Sequence, residues 1–337
     1  MSVKSYQTSP EGYRSLHELA GVGAVAPRGQ IALSGTERAS YLQGLLTNDI
    51  AALTPGSGCY SAWLTPQGRM LTDLYVFESG DMMLLDVPGE ELAATLQRLD
   101  QFLFSEDVQF ASLSDTLRAV WLHGPAAARI IEGTVSGVAA LAEWPQYRNA
   151  RGQFGGAPAV VARVDQLGVP GFCVYAAPAQ VEALLAAFHD AGAPAIDAAS
   201  IEAARLEAGY PVFGVDMTHE TIPLEAGIEG RAISLTKGCY VGQEVIIRVL
   251  HRGQGRVAKK LMALRIEGDV PDRGARIFGK DREIGAITSA ALSPRHGAIA
   301  LAYLHRDFLT PGTDVEVETT AGRMRAMVTE RPILPAA

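Results

Sequence analysis

The feature that most constrains this chain is a change of texture near residue 256. Before it, strand-like and helix-like segments alternate; after it, short strands follow one another between Gly, Pro and charged turns. IALSGTERASYLQGLLTNDI (31–50) reads as a strand, a turn at Ser34–Gly35 and an amphipathic helix with Tyr41, Leu42, Leu45 and Leu46 toward the core. CYSAWLTPQGRMLTDLYVF (59–77) reads as a β-hairpin turning at Thr65–Gly68, MMLLDVP as a further strand and GEELAATLQRLDQFLF as a helix. The cycle then runs again: LRAVWLHG and GFCVYAAP as strands, AAARIIEG, AQVEALLAAFHDAG and IDAASIEAARLEAG as helices, the last two ended by Gly192 and Gly209. No short repeat is visible, but two cycles predict an α+β fold of two related sheet-and-helix units, over 28–115 and 116–255, rather than a doubly wound parallel sheet. The segments KKLMALRIEG, GARIFGK, REIGAITSAAL, GAIALAYL, TDVEVET and RMRAMVTE predict a small closed β-barrel over 256–337. Residues 1–27 mix polar residues with Pro and Gly and read as a loosely held arm.

Composition narrows the function classes. A net charge of −8 on 337 residues is the wrong sign for a uniformly basic nucleic-acid or membrane-surface protein, so any such contact must be local. The N-terminus MSVKSYQTSPEGY has no apolar core of a signal peptide, and no apolar run approaches the roughly 20 residues of a membrane helix. The three cysteines, Cys59, Cys173 and Cys239, form no CxxC pair, which argues against a disulfide framework and points to a reducing cytoplasm.

The segment KGCYVGQE (237–244) concentrates the chemistry. Cys239 lies just ahead of EVIIRVLHR, a helix expected to begin near Gly242, and two residues from Lys237. A helix N-terminus and a nearby ammonium both favour a thiolate; the alternative is a small buried filler. Cys59 and Cys173 sit in strands and read as filling. Downstream of Arg205 and Glu207, YPVFGVDMTHETIPLEAGIEG is long, turn-rich and ionisable, with Asp216, His219, Glu220 and Glu225, as functional or merely solvated connections are. The cluster Arg248, His251, Arg252, Arg256, Lys259 and Lys260 reads as a solvated face, as an anion site for a carboxylate or phosphate, or, third, as a short RNA contact, to which a chain of net charge −8 adds little general attraction. No histidine has metal-ligand spacing, and Walker A, GxGxxG and Gly-x-Ser-x-Gly motifs are absent, so no metal site is expected.

With these residues in view, KGCYVGQE resembles the signature of the YgfZ-type folate-binding and iron–sulfur cluster assembly family, relatives of the glycine-cleavage aminomethyltransferase (T-protein). YLQGLLTND and TPQGRM resemble that family's first domain, RLEAGYPVFGVDMTHETIPLEAG the T-protein's central segment, and IGAITSAALSP with GAIALAYL its C-terminal barrel. The resemblance implies a tetrahydrofolate pocket amid a ring of domains. It implies that Glu220 holds the pterin, that Arg252 lies near the folate tail, and that Arg205 and Tyr210 line or brace the pocket. Asn48, Tyr240 and Gln243 are further folate-site candidates, with Cys239 and Lys237 as the reactive pair.

The T-protein's catalytic aspartate has no clean counterpart; Glu91 is the nearest acid and Asp86 lies on the strand. The T-protein also lacks the cysteine of KGCYVGQE. The resemblance therefore implies first a folate-dependent accessory protein for iron–sulfur cluster assembly or repair, with effects on tRNA modification. The alternative it implies is an aminomethyltransferase acting on a lipoylated carrier, and a third reading is a non-catalytic docking scaffold. Expected partners are a small-molecule folate and iron–sulfur proteins, with neither stable nucleic-acid binding nor a membrane.

Overall fold

The computed structural model describes residues 8–251, 255–320 and 322–333. The N-terminal half runs α1 (Pro10–Glu18), β1 (Gly21–Val22), β2 (Arg28–Ser34), α2 (Arg38–Leu45), β3 (Gly58–Leu64), β4 (Met70–Glu78), β5 (Met83–Pro88), α3 (Leu92–Gln101) and β6 (Gln109–Ser112). The second cycle runs β7 (Arg118–His123), α4 (Ala127–Thr134), β8 (Asn149–Phe154), β9 (Ala157–Arg163), β10 (Gly171–Ala176), α5 (Val181–Asp190) and α6 (Ala198–Glu207). The short helices α7 (Pro223–Ala226) and α8 (Glu229–Ala232) and the longer α9 (Gln243–His251) lead to six strands: β11 (Lys259–Ile266), β12 (Arg276–Gly279), β13 (Arg282–Ser293), β14 (Gly297–His305), β15 (Asp314–Thr319) and β16 (Gly322–Thr329).

The expected internal relation is real at the level of topology. One sheet has the order β3-β4-β5-β2-β6 and the other β8-β9-β10-β7-β1, so strand matches strand, and the last six strands close into a barrel. Each sheet carries helices on its outer face: α2 and α3 cover Leu33, Leu74 and Leu85 of the first, α4 and α5 cover Val120, Val161 and Phe172 of the second. The inner faces meet in one core, where Tyr60, Tyr75 and Phe77 pack with Trp121, Val164 and Tyr175. With both faces covered, the strands read as nearly continuous apolar runs, which is why β4 and β10 stand out in the sequence.

The N-terminal segment corrects an expectation. Residues 10–22 are no loose arm: Ser9 caps α1, Tyr13 and Leu16 are buried, and β1 pairs antiparallel with β7 as the edge strand of the second sheet. The β8–β9 hairpin was also missing from the sequence reading. Its apolar alternation is diluted by Arg151, Gly152 and Gln153, although the Gly155–Gly156 pair that turns it, at φ +56° and +80°, is a strong hairpin signal. No helix among the described residues is long and apolar enough to cross a membrane.

Candidate functional site

A cavity of about 350 Å³ opens between the two sheet units, walled by Arg28 (β2), Asp73 and Tyr75 (β4), Glu90 and Glu91 after β5, Gln166 after β9, and the 210–219 segment with Tyr210, Phe213 and His219. A charge in the middle of a buried strand needs partners, and here the partners form a network. Arg28 pairs with Asp86, lies 3.7 Å from Asp73 and covers the Tyr75 ring at 4.7 Å. Burial opposes the Arg28 charge, but the carboxylates of Asp86 and Asp73 outweigh it and its pKa is raised. The Tyr175 hydroxyl donates to Asp86 and the Tyr60 hydroxyl to Asp73, each at 2.7 Å. The Tyr75 and Tyr210 hydroxyls meet at 2.5 Å, and Gln166 donates to Tyr75 at 2.9 Å. Burial pushes the Tyr60 and Tyr75 phenols well up, so both stay protonated as donors.

Not every polar atom in this network is satisfied. Asp73 Oδ1 and Gln166 Oε1 are buried without a hydrogen-bond partner among the described residues. Asp73 Oδ1 faces the Arg28 guanidinium at 3.7 Å, beyond hydrogen-bond distance, and two acceptors without donors at a cavity suit a ligand that presents N–H groups. At the rim, Glu91 takes a hydrogen bond from Arg98 at 3.2 Å, and its other oxygen lies 3.0 Å from His219 Nε2.

The structure separates the residues expected at the site. Tyr210 lines the cavity. Arg205 is a brace: it is buried, donates to the Tyr210 carbonyl at 2.8 Å and is held by Asp216 and Glu202. Glu220 departs from its expected role, since its side chain is 77% exposed, outside the cavity, and ion-paired with Arg69. Its neighbour His219, although 55% exposed, does line the cavity. Asn48 is fully engaged in structure, donating to the Tyr60 and Arg231 carbonyls and accepting from the Asp49 amide. Arg252 lies outside the described residues. Of the rest of the basic cluster, Lys259 covers Tyr303 at 4.9 Å and Lys260 lies 3.9 Å from Glu229.

KGCYVGQE is a loop laid over the first unit. Lys237 does not serve Cys239: its buried ammonium donates to the carbonyls of Gln43, Leu46 and Asn48 at 2.6, 2.6 and 2.9 Å. Burial lowers its pKa to about 8, while the end of α2 offers the positive group carbonyls to hold. The thiol that feels Lys237 is the buried Cys59, which burial nevertheless pushes up to about 12. Cys239 is exposed, and Cys59 and Cys173 are buried as expected of filling. Tyr240 is buried beside Lys237, with its ring 5.1 Å from the ammonium and its hydroxyl unpartnered. Gln243 opens α9, and Gly242 before it has φ +84°; a Cβ there would lie 2.5 Å from the Thr65 carbonyl. Only glycine admits this approach between the loop and the 65–68 turn.

Sequence reading missed Asp73, Arg28, Tyr75 and Gln166. For Asp73 a signal existed, a lone carboxylate inside the apolar run LTDLYVF.

Comparison with known proteins agrees with the fold. Residues 5–237 match the family described as the GCVT N-terminal domain, and residues 259–334 the glycine cleavage T-protein C-terminal barrel domain. An aminomethyltransferase of Rubrobacter xylanophilus is 29% identical over 328 residues, 96% of this chain and 84% of that protein. One from Bacillus subtilis is 27% identical over 332 residues, 95% of this chain and 89% of that protein. The glycine cleavage system aminomethyltransferase T of Bartonella henselae superposes with a TM-score of 0.86 at 23% identity, over 97% of this chain and 91% of that one. From its first sheet to its barrel, the chain belongs to the glycine-cleavage T-protein family.

Proposed function

We propose that the chain binds tetrahydrofolate in the cavity between its two sheet units and transfers a one-carbon unit of the aminomethyl type. The observation that carries this reading is the buried Asp73, with Oδ2 engaged by Tyr60 and Oδ1, 3.7 Å from the Arg28 guanidinium, accepting no hydrogen bond. A pterin displays adjacent N–H donors, and a carboxylate accepts such a pair. Phe213, Val212 and Pro211 give the ring a largely apolar wall, as ligand pockets do.

The folate would supply the two nitrogens that receive the one-carbon unit; its carbon–sulfur and carbon–nitrogen bonds break, and the two N–H protons leave with the carrier thiol and with ammonia. Asp73 holds the ring at its donor edge, away from the nitrogens that take the carbon. Tyr60 orients that carboxylate, and Arg28 sets its field. The Glu91–His219 pair stands at the rim, where a carrier arm would enter. The relatives named aminomethyltransferase support this activity. The test supplies an aminomethylated carrier protein with tetrahydrofolate and measures methylene-tetrahydrofolate and ammonia. Equimolar formation of both is expected, and binding without turnover would remove the transferase part.

A second reading rests on Cys239. It is exposed, within a motif resembling that of the YgfZ-type family, and outside the cavity wall. On this reading the protein is a folate-binding accessory factor for iron–sulfur cluster assembly or repair that also affects tRNA modification, and Cys239 contacts a partner. A Cys239→Ala protein that fully restores iron–sulfur enzyme activity in a deletion strain would dismiss it.

A further inference from the structure

Arg231 in α8 is a half-buried cation without a carboxylate, set behind the cavity wall formed by Tyr210. Its guanidinium is layered between the Tyr60 ring, 4.4 Å away, and the Tyr210 ring, 4.0 Å away. Among the described residues no acid is ion-paired to it, and its Nη2 is buried with no hydrogen-bond partner. Aromatic faces offset part of the charge and the Tyr147 hydroxyl is a side-chain hydrogen-bond partner of the guanidinium, but Nη2, which points in the guanidinium plane, is left without one. The unmet need is therefore an in-plane oxygen acceptor.

The chain pins this residue from behind. Asn48 donates to the Arg231 carbonyl at 3.0 Å, and the Thr47 hydroxyl donates to the Ala232 carbonyl at 2.6 Å. A fixed backbone under an unsatisfied side chain is an arrangement suited to a ligand, because a folded chain rarely strands a buried donor. Tyr60 connects this donor to the cavity's acceptor: its ring stacks on Arg231 while its hydroxyl binds Asp73. Tyr210 connects it to the wall through Tyr75.

We infer that Arg231 anchors the ligand by donating to one of its oxygen acceptors, and that with Asp73 it reads a donor-and-acceptor edge. This rests on the folate reading above. On a pterin, that edge is the 2-amino and ring N–H donors beside the 4-oxo group, so the expected acceptor is the 4-oxo oxygen. A glutamyl carboxylate of the tail is the other source of the same chemistry.

Anaerobic calorimetry on the full chain, wild type and Arg231→Met, with three ligands, tests this. They are tetrahydrofolate, its 4-amino analogue and tetrahydropteroate, which lacks the glutamate. The substitution is expected to weaken tetrahydrofolate at least tenfold and the 4-amino analogue less than threefold, with Arg231→Lys in between. If the loss vanishes for tetrahydropteroate instead, the anchor holds and its acceptor is the tail carboxylate. An equal loss for all three, or none, overturns the anchor. Removing a charge that has no carboxylate partner should leave the ligand-free melting temperature unchanged or raised; a lowered one with unchanged affinity marks Arg231 as a folding brace and also overturns it. Wild-type protein that binds none of the three refutes the folate reading itself, a result distinct from binding that ignores Arg231.

Discussion

Asp73 joins the cavity's chemistry to its structure, because one oxygen is held by Tyr60 and the other, facing Arg28 at 3.7 Å, accepts no hydrogen bond. Asp73→Asn keeps the shape and the Tyr60 contact but removes the charge and one hydrogen-bond acceptor. We expect it to lower aminomethyl transfer at sub-saturating tetrahydrofolate by about tenfold or more, through weakened binding, while the protein stays folded. Single-turnover assays beside a thermal melt check this. His123 is a second buried group, unrelated to the cavity, whose pKa burial lowers to about 4. Unfolded, a histidine binds its proton near 6.5, so between these values the unfolded chain holds more protons. Stability should therefore be full above about pH 6.5 and fall as the pH drops toward 4, by up to about 3 kcal/mol. Urea unfolding at pH 7 and pH 5 should show that loss, and His123→Gln should reduce it. At this scale the sequence was only partly informative. Asp73 was legible as a charge in an apolar strand, whereas Glu220, assigned from its place in a motif, points to solvent beside Arg69. Motif position locates a residue along the chain, but side-chain direction in a turn follows from tertiary packing. Lys237 shows the same limit, since its proximity to Cys239 along the chain gave no hint of the carbonyls it holds.

At the scale of elements, α1 and the KGCYVGQE loop make the sharpest cases. The Tyr13 hydroxyl of α1 reaches both oxygens of the buried Glu207 at 2.7 Å, while Ser293 of the barrel donates to the same carboxylate. Tyr13→Phe strips one donor from that carboxylate and should cost about 1–3 kcal/mol in chemical denaturation, without altering folate affinity. A loss of affinity with no change in stability would contradict this structural role. Gly242→Ala forces a side chain into positive φ and against the Thr65 carbonyl. A destabilisation of about 1–3 kcal/mol in chemical denaturation is expected. Strands with both faces covered were legible as apolar runs, and helices were legible by their stops. The edge strand β1 was not, because a two-residue strand leaves no periodicity and owes its pairing to β7.

For the whole molecule, Asp216 ties the parts together. It accepts from Arg205, from the Val212 amide, and from Thr288 and Ser289 of the barrel. Asp216→Ala leaves Arg205 buried with only Glu202 as an acidic partner. It should destabilise the protein by about 3–5 kcal/mol, seen as a lower denaturation midpoint. The overall plan was legible because it depends on the order of elements: two strand–helix cycles, then strands alone. The cavity was not, because its walls come from β2, β4, the turn after β5, residue 166 and the 210–219 segment, which only the packed fold brings together. The central claim is that this assembled cavity is a tetrahydrofolate site. Its most direct test is anaerobic titration calorimetry of tetrahydrofolate into the intact protein, with Asp73→Asn and Glu220→Ala alongside. Saturable one-to-one binding, weakened about tenfold or more by Asp73→Asn and unchanged by Glu220→Ala, is the predicted result. Absence of binding, or binding lost with Glu220 and indifferent to Asp73, would contradict it.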